Sequence, residues 1–307
     1  MPATKSRTKA PKKSNADVYQ EITDAILAKL AEGVAPWRMQ WDASKGLPAG
    51  LQRNFSSGRP YRGINQFLLA MSPYASPYWL TYKGAKAAGG QVRKGEKSTT
   101  VILWKFLKVE DKDPKTGEVK TKTIPMLRTF SVFNIEQVDG LDLSKLEADP
   151  EADPFDPIAA GQAIMDGYAD GPSMTYGGSS AYYQPSTDAV RLPEPETFRS
   201  REAFYSVAFH EMAHSTGHES RLARKGITEG DGFGSESYSQ EELVAEMTAA
   251  MLCAVAGISQ PVIDNQAAYV ANWLQVLEND PKMVVIAGAQ AQKAADRILG
   301  VSFSEEA

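Results

Sequence analysis

HEMAHSTGH, residues 210–218, gathers all three histidines of the 307-residue chain into nine positions. Within it His210, Glu211 and His214 form the pattern HExxH. On a helix, residues four apart share a face, so two imidazoles stand one turn apart. There they can grip a single Zn2+. Glu211 follows the first histidine, where its carboxylate reaches water at the metal rather than the metal itself, as a general base requires. Phe204, Val207, Ala208 and Phe209 precede the pattern and supply an apolar wall. Two packed core histidines are the ordinary alternative, and HExxH is too specific for it.

A catalytic metal site takes three protein ligands and leaves one position open. Two sources compete for the third ligand. His218 would share the histidine face if the helix continued, but Gly217 more naturally ends it. The other source is EELVAE, residues 241–246, about 30 residues downstream on a second helix. Glu242 and Glu246 lie one turn apart there, which suits a division of labour. Glu242 binds the metal, and Glu246 accepts the N–H of a ligating histidine. Glu242 is the favoured ligand, with Glu246 and His218 left as alternatives. A metzincin would need its third histidine where Ser220 stands, so the site reads as a glutamate-type zincin. The expected ion is Zn2+, although the same ligands accept Mn2+ or Co2+. Arg221, Arg224 and Tyr238 fall between the ligand segments and could border the site. Tyr238 would serve an oxyanion as readily as it would pack in a core.

Outward from this centre, Arg201–Ser215 and Gln240–Ala256 read as helices, and residues 261–299 hold at least two more. Residues 158–168 form a short helix, and MTYGGSSAYYQPSTDAVRLPEP (174–195) two or three short strands. LDLSKLEADPEADPFDP (141–157) is acidic and proline-bearing, as a linker is. Before it, 17–31 carries helical periodicity closed by Gly33 and Pro36. INQFLLAMS (64–72) and residues 78–88 read as helices, the latter stopped by Gly89 and Gly90. STTVILWKFLKVE (98–110) and TIPMLRTFSVFNIEQV (123–138) read as a strand pair. The fold class is α+β with two domains: an N-terminal α+β domain over 16–140 and a mostly helical C-terminal domain with a small sheet over 158–307. Residues 1–15 form a disordered basic tail.

The net charge of −5 is unevenly spread. Residues 1–134 hold 23 Lys and Arg against 10 Asp and Glu (+13), and the remainder 10 against 28 (−18). A basic half attracts phosphates, since each one neutralised releases condensed counterions. Its cations alternate with aromatic rings, the composition that holds single strands by stacking and by backbone contacts. Trp37, Trp41, Tyr61, Tyr78, Trp79 and Tyr82 are candidate stacking platforms. Arg53, Arg59, Arg62, Lys83, Lys86, Arg93, Lys94 and Lys97 are candidate phosphate contacts. Trp104, in an apolar strand, reads as core, and Cys253 as an inert buried thiol. No apolar run approaches the ~18–20 residues that span a bilayer and no secretory signal opens the chain, so the expected compartment is the cytoplasm and no membrane partner is expected.

Several long blocks carry a family resemblance: PW near residue 36, Asn54 followed by SSGRPYRGIN, WLTYKGA, GGQVRKGEKSTTVI, HEMAHSTGHESRLARK and YSQEELVAEMTAAML. Together they resemble the ArdC-type antirestriction proteins of conjugative plasmids, from about residue 16 to 300 and in the same order. The resemblance implies a single-stranded-DNA-binding domain joined to a zincin-like metallopeptidase domain. It also implies protection of incoming plasmid DNA from host restriction, and supports His210 and His214 as ligands, Glu211 as the catalytic-type glutamate and EELVAE as the source of the third ligand. Two readings follow: a peptidase that acts on a host protein such as a restriction component, or a DNA-binding protective protein whose metal site is structural or vestigial.

Overall fold

The computed structural model describes residues 14–38, 50–112, 119–146, 156–229, 236–258 and 266–302. Most of the basic tail, Trp41 and residues 147–155 of the acidic segment lie outside these. The first helix, α1 (Asn15–Ala31), opens on a reciprocal cap. Ser14 Oγ accepts from the Asp17 amide at 3.2 Å, and the Asp17 carboxylate accepts from the Ser14 amide at 2.9 Å. Helical structure therefore begins inside the stretch expected to be tail. Val18, Ile22, Ile26 and Leu30 form the buried stripe of α1.

The rest of the N-terminal half comprises β1 (Arg53–Asn54), α2 (Ile64–Ala70), β2 (Tyr78–Thr81), α3 (Tyr82–Ala87), β3 (Gln91–Val92), β4 (Thr99–Lys112), β5 (Val119–Asn134) and β6 (Val138–Asp139). The main sheet has the order β1-β2-β5-β4, built on the long β4–β5 hairpin, while β3 and β6 form a separate ribbon. The segment expected as one helix over 78–88 divides. Tyr78–Thr81 is aromatic and β-prone and pairs with β5, Trp79 opposite Asn134. Thr81 then caps α3, its hydroxyl accepting from the Gly84 amide at 3.0 Å.

In the C-terminal half, α4 (Pro157–Asp166) precedes β7 (Ser173–Tyr176), β8 (Tyr182–Gln184) and β9 (Ala189–Leu192). Then come α5 (Arg201–Ser215), α6 (Lys225–Thr228), α7 (Glu236–Val255), α8 (Gln266–Asn279) and α9 (Met283–Ile298). The small sheet has the order β7-β9-β8, which puts β8 at an edge. Helix α7 starts four residues before the expected Gln240, so Tyr238 belongs to it.

The two halves share a continuous core. Ile26, Leu30, Trp37 and Ile64 from the first join Phe209, Leu243, Met247, Trp273 and Ala291 from the second. α1 packs on α8, and α9 lies between α2 and α7. At the α2–α9 crossing, Gly63 sits at φ 58° and donates its amide to Gln292 Oε1 at 2.9 Å. Arg62 grips the Asp296 carboxylate with both terminal nitrogens. A Cβ at Gly288 would stand 2.8 Å from the Ile64 amide nitrogen, so only glycine permits this approach. Gly288→Val is expected to destabilise the protein by about 1–3 kcal/mol through overpacking. That outweighs the few tenths of a kcal/mol that valine gains over glycine in a helix. Denaturant unfolding measures it, and an unchanged midpoint would contradict the close approach.

Candidate metal centre and nucleic-acid interface

Ser200 caps α5, accepting from the Ala203 amide at 3.2 Å. From that helix His210 and His214 project together, their Nε2 atoms 3.1 Å apart and their rings T-shaped. Glu242 reaches across from α7, one carboxylate oxygen 3.5 Å from His210 Nε2 and the other 3.4 Å from His214 Nε2. A tetrahedral ion with bonds of ~2.05 Å places its ligand atoms ~3.3 Å apart. The two histidine nitrogens stand close to that spacing, one donor atom from each of the three residues lies within 4.8 Å of the others, and these residues form the one candidate ion-binding group among the described residues. The donors therefore fit a small divalent cation. His218 is not brought to the centre. α5 stops at Ser215, and the His218 Nδ1 is engaged by Ser220 Oγ at 2.8 Å.

Behind the ligands, carboxylates face the outer histidine nitrogens. Glu246 lies 3.7 Å from His210 Nδ1. His214 Nδ1 lies 3.2 Å from Glu241, a residue that a one-face reading of EELVAE passes over, because it sits 100° round the helix from Glu242. Arg224 holds Glu241 through Nε at 2.8 Å and Nη2 at 2.5 Å. It also donates to Thr216 Oγ1 at 2.6 Å and the Ala213 carbonyl at 2.9 Å. Arg221 points elsewhere: it pairs with Asp188 and donates to the Ser215 carbonyl at 2.7 Å, fixing the turn between β8 and β9. The signal that could have found Glu241 was a second carboxylate beside the ligand, with an arginine upstream to neutralise it.

Burial opposes a charge on His214, but hydrogen bonds with Glu241 and Glu242 outweigh it and raise the pKa to about 10. Burial pushes Glu242 upward, yet His210 and His214 hold it well below the usual carboxylate range. Glu241 is likewise pushed up by burial and brought down further by Arg224 and His214. Burial, then the Glu242 charge, pushes the Tyr238 hydroxyl up to about 12, so it remains a donor at neutral pH. Glu211, buried, shares with Tyr238, Ile227 and Tyr182 and Tyr183 of β8 the lining of a cleft of about 360 Å³.

The nucleic-acid candidates separate by burial. Trp37 is 2% exposed and edge-on to Trp273, and Trp79 is fully buried with its Nε1 donating to Gln52 at 2.6 Å. Both are core rings with no open face, which corrects their assignment as platforms. Arg62 is committed to Asp296 and fastens the two halves together. Tyr61 and Tyr78 are half-buried, Tyr78 edge-on to Phe55, while Arg53 donates to the Gly58 carbonyl at 3.1 Å and Arg59 is exposed. Tyr82 is 52% exposed beside Phe133, on an open groove of about 570 Å³ that Arg93 and Lys94 also line. Lys83, Lys86 and Lys97 are exposed on the same α3–β4 stretch. Arg93 is braced there by Glu96 at 2.8 Å and Asp139 at 3.4 Å. Phe133, half-buried in an apolar strand, lines the same groove.

Residues 16–133 match the N-terminal domain of anti-restriction factor ArdC, and residues 164–290 a zincin-like metallopeptidase. The metal-free crystal structure of the antirestriction ArdC protein from plasmid R388 aligns with a TM-score of 0.71 at 38% identity. It covers 92% of this chain and 96% of that one. The chain belongs to the ArdC antirestriction family. The Mn(II)-bound structure of the R388 protein aligns with a TM-score of 0.70 at 37% identity, covering 92% of this chain and 97% of that one. Family relatives include the uncharacterized protein y4eC of Sinorhizobium fredii, 34% identical over 91% of each chain. A DNA primase TraC of Escherichia coli is 36% identical over 92% of this chain, which spans 27% of that primase. Among the described residues no helix is long and apolar enough to cross a membrane.

The electrostatics of His214 carry a pH signature. Its folded pKa lies above the unfolded 6.5, so its stabilisation of the metal-free protein is complete below pH 6.5 and is lost as pH rises toward about 10. Thermal unfolding in chelator is expected to show Tm falling across that window, with a flatter profile for His214→Gln. Identical profiles for the two proteins would contradict this.

Proposed function

We propose that this protein protects incoming plasmid DNA from host restriction, binding single strands through its basic half and carrying a zinc-peptidase site in its acidic half. The observation that carries the reading is the His210–His214–Glu242 triangle with Glu211 beside it in an accessible cleft. Zn2+ fits the two imidazoles and one carboxylate, and Mn2+ and Co2+ would be accepted by the same donors. Such an ion would acidify water and polarise a substrate carbonyl. Glu211 takes the proton from the attacking water on its carboxylate and returns it to the leaving amine. Tyr238, protonated at neutral pH, can donate to the developing oxyanion. The edge strand β8 borders the cleft and offers a backbone against which an extended peptide could lie. A host restriction protein is the proposed substrate class.

For the DNA-binding half, Tyr82 supplies an exposed ring on a groove that Lys94 also lines, and exposed Lys83, Lys86 and Lys97 add charge on the adjoining stretch. Each base stacked on such a ring is worth about 1–3 kcal/mol. Tyr82→Ala is expected to weaken single-strand binding by about that amount, and each lysine removed to lower the salt slope by about 0.7. Fluorescence anisotropy across salt concentrations measures both, and wild-type affinity and slope would remove the groove from the account.

Antirestriction in cells carrying Glu211→Ala, compared with wild type, separates the peptidase from the shield. Loss of protection with DNA affinity intact is the expected result. Full protection would leave the DNA-binding half acting alone and the metal site structural or vestigial.

A further inference from the structure

Resting on the assignment of His210, His214 and Glu242 as metal ligands, we propose that Arg224 and Glu241 form a buried positioning clamp for His214, so that metal affinity depends on an ion pair that never touches the ion. Both side chains are almost wholly buried. The Glu241 carboxylate accepts from His214 Nδ1 on one side and from Arg224 on the other, which aims Nε2 at the centre. Arg224 meanwhile bonds the last turn of α5 at Ala213 and Thr216, so a single guanidinium ties one ligand helix to the other.

The chain between the helices is shaped to admit this clamp. Ala223, immediately before Arg224, takes a left-handed φ of 46°, a conformation that is strained for a non-glycine residue. Such a conformation persists only where its surroundings hold it. Here the Ala223 amide donates to the His218 carbonyl and the Arg224 amide to the Gly217 carbonyl, each at 3.0 Å. Gly217 leaves the space the guanidinium fills, because a Cβ there would lie 3.0 Å from Arg224 Nη2 and 2.6 Å from Ile227 Cγ1. Gly226 does the same for α7, where a Cβ would lie 2.7 Å from the Glu241 Cβ. A left-handed alanine and two space-making glycines thus converge on one carboxylate. His210 has no equal support, since Glu246 stands farther from its Nδ1.

The test uses the full chain, stripped of metal and titrated with Zn2+ against a chromophoric chelator. Replacing the pair with apolar residues, Glu241→Leu with Arg224→Met, removes the support of His214 without leaving a lone buried charge, a change that folds tolerate. It is expected to weaken Zn2+ binding about 10–100-fold. Glu241→Gln, which keeps an acceptor but not the charge, should fall between that and wild type. Imidazole 15N resonances of His214 in the metal-free protein should shift in both. A purely structural role would lower Tm while leaving affinity and resonances alone, and that result overturns the clamp. If the apolar pair does not fold, Glu241→Gln decides: intermediate affinity with shifted resonances supports the clamp, and wild-type values overturn it. Failure of the wild-type chain to bind Zn2+ would instead remove the ligand assignment itself.

Discussion

The packing of α5 against α7 is the contact on which the rest of the site depends. Phe209 and Met212 on one helix and Leu243 and Met247 on the other are all fully or almost fully buried. Their apolar contact sets the distance at which Glu242 meets His210 and His214. The pairings also fix direction: Glu241 faces His214 and Glu246 faces His210, so the two helices run antiparallel. Three carboxylates on one turn and a half of α7 then take different tasks without changing residue type. What separates them is which nitrogen each faces.

The same packing joins the site to the basic half. α9 lies on α7 with one side and meets the start of α2 with another, through Gly288, Gln292 and Asp296. The strong opposition of charge along the chain therefore does not mark two loosely tethered bodies. A shared core holds them, with Trp37 and Trp273 edge-on within it. The groove around Tyr82 and the cleft around Glu211 sit on opposite sides of this division in charge, which suits phosphates for one and a peptide for the other.

Much of the centre was legible because HExxH has a helical period and its ligand chemistry is narrow. Arg201–Ser215 is a helix with the expected bounds, and the strand pair around Trp104 and Leu127 follows from apolar β-prone runs. Three features were hidden for physical reasons. Burial depends on tertiary packing, so Trp37 and Trp79 looked like any exposed ring among cations. Tyr78–Thr81 carries an aromatic pattern that helix and strand both accept, and pairing with β5 decided for strand. Glu241 lies off the face that spacing alone selects; an adjacent carboxylate with an arginine upstream hints at it, and the position of the His214 Nδ1 atom shows its use.

The central claim is that two imidazoles and one carboxylate from these two helices hold a single divalent ion. An anomalous difference map from crystals of the metal-loaded protein tests it most directly. The account predicts a single peak ~2.0–2.2 Å from His210 Nε2, His214 Nε2 and a Glu242 oxygen, with Glu211 close by but not bound. A peak ligated by His218, or no peak between the helices, would contradict it.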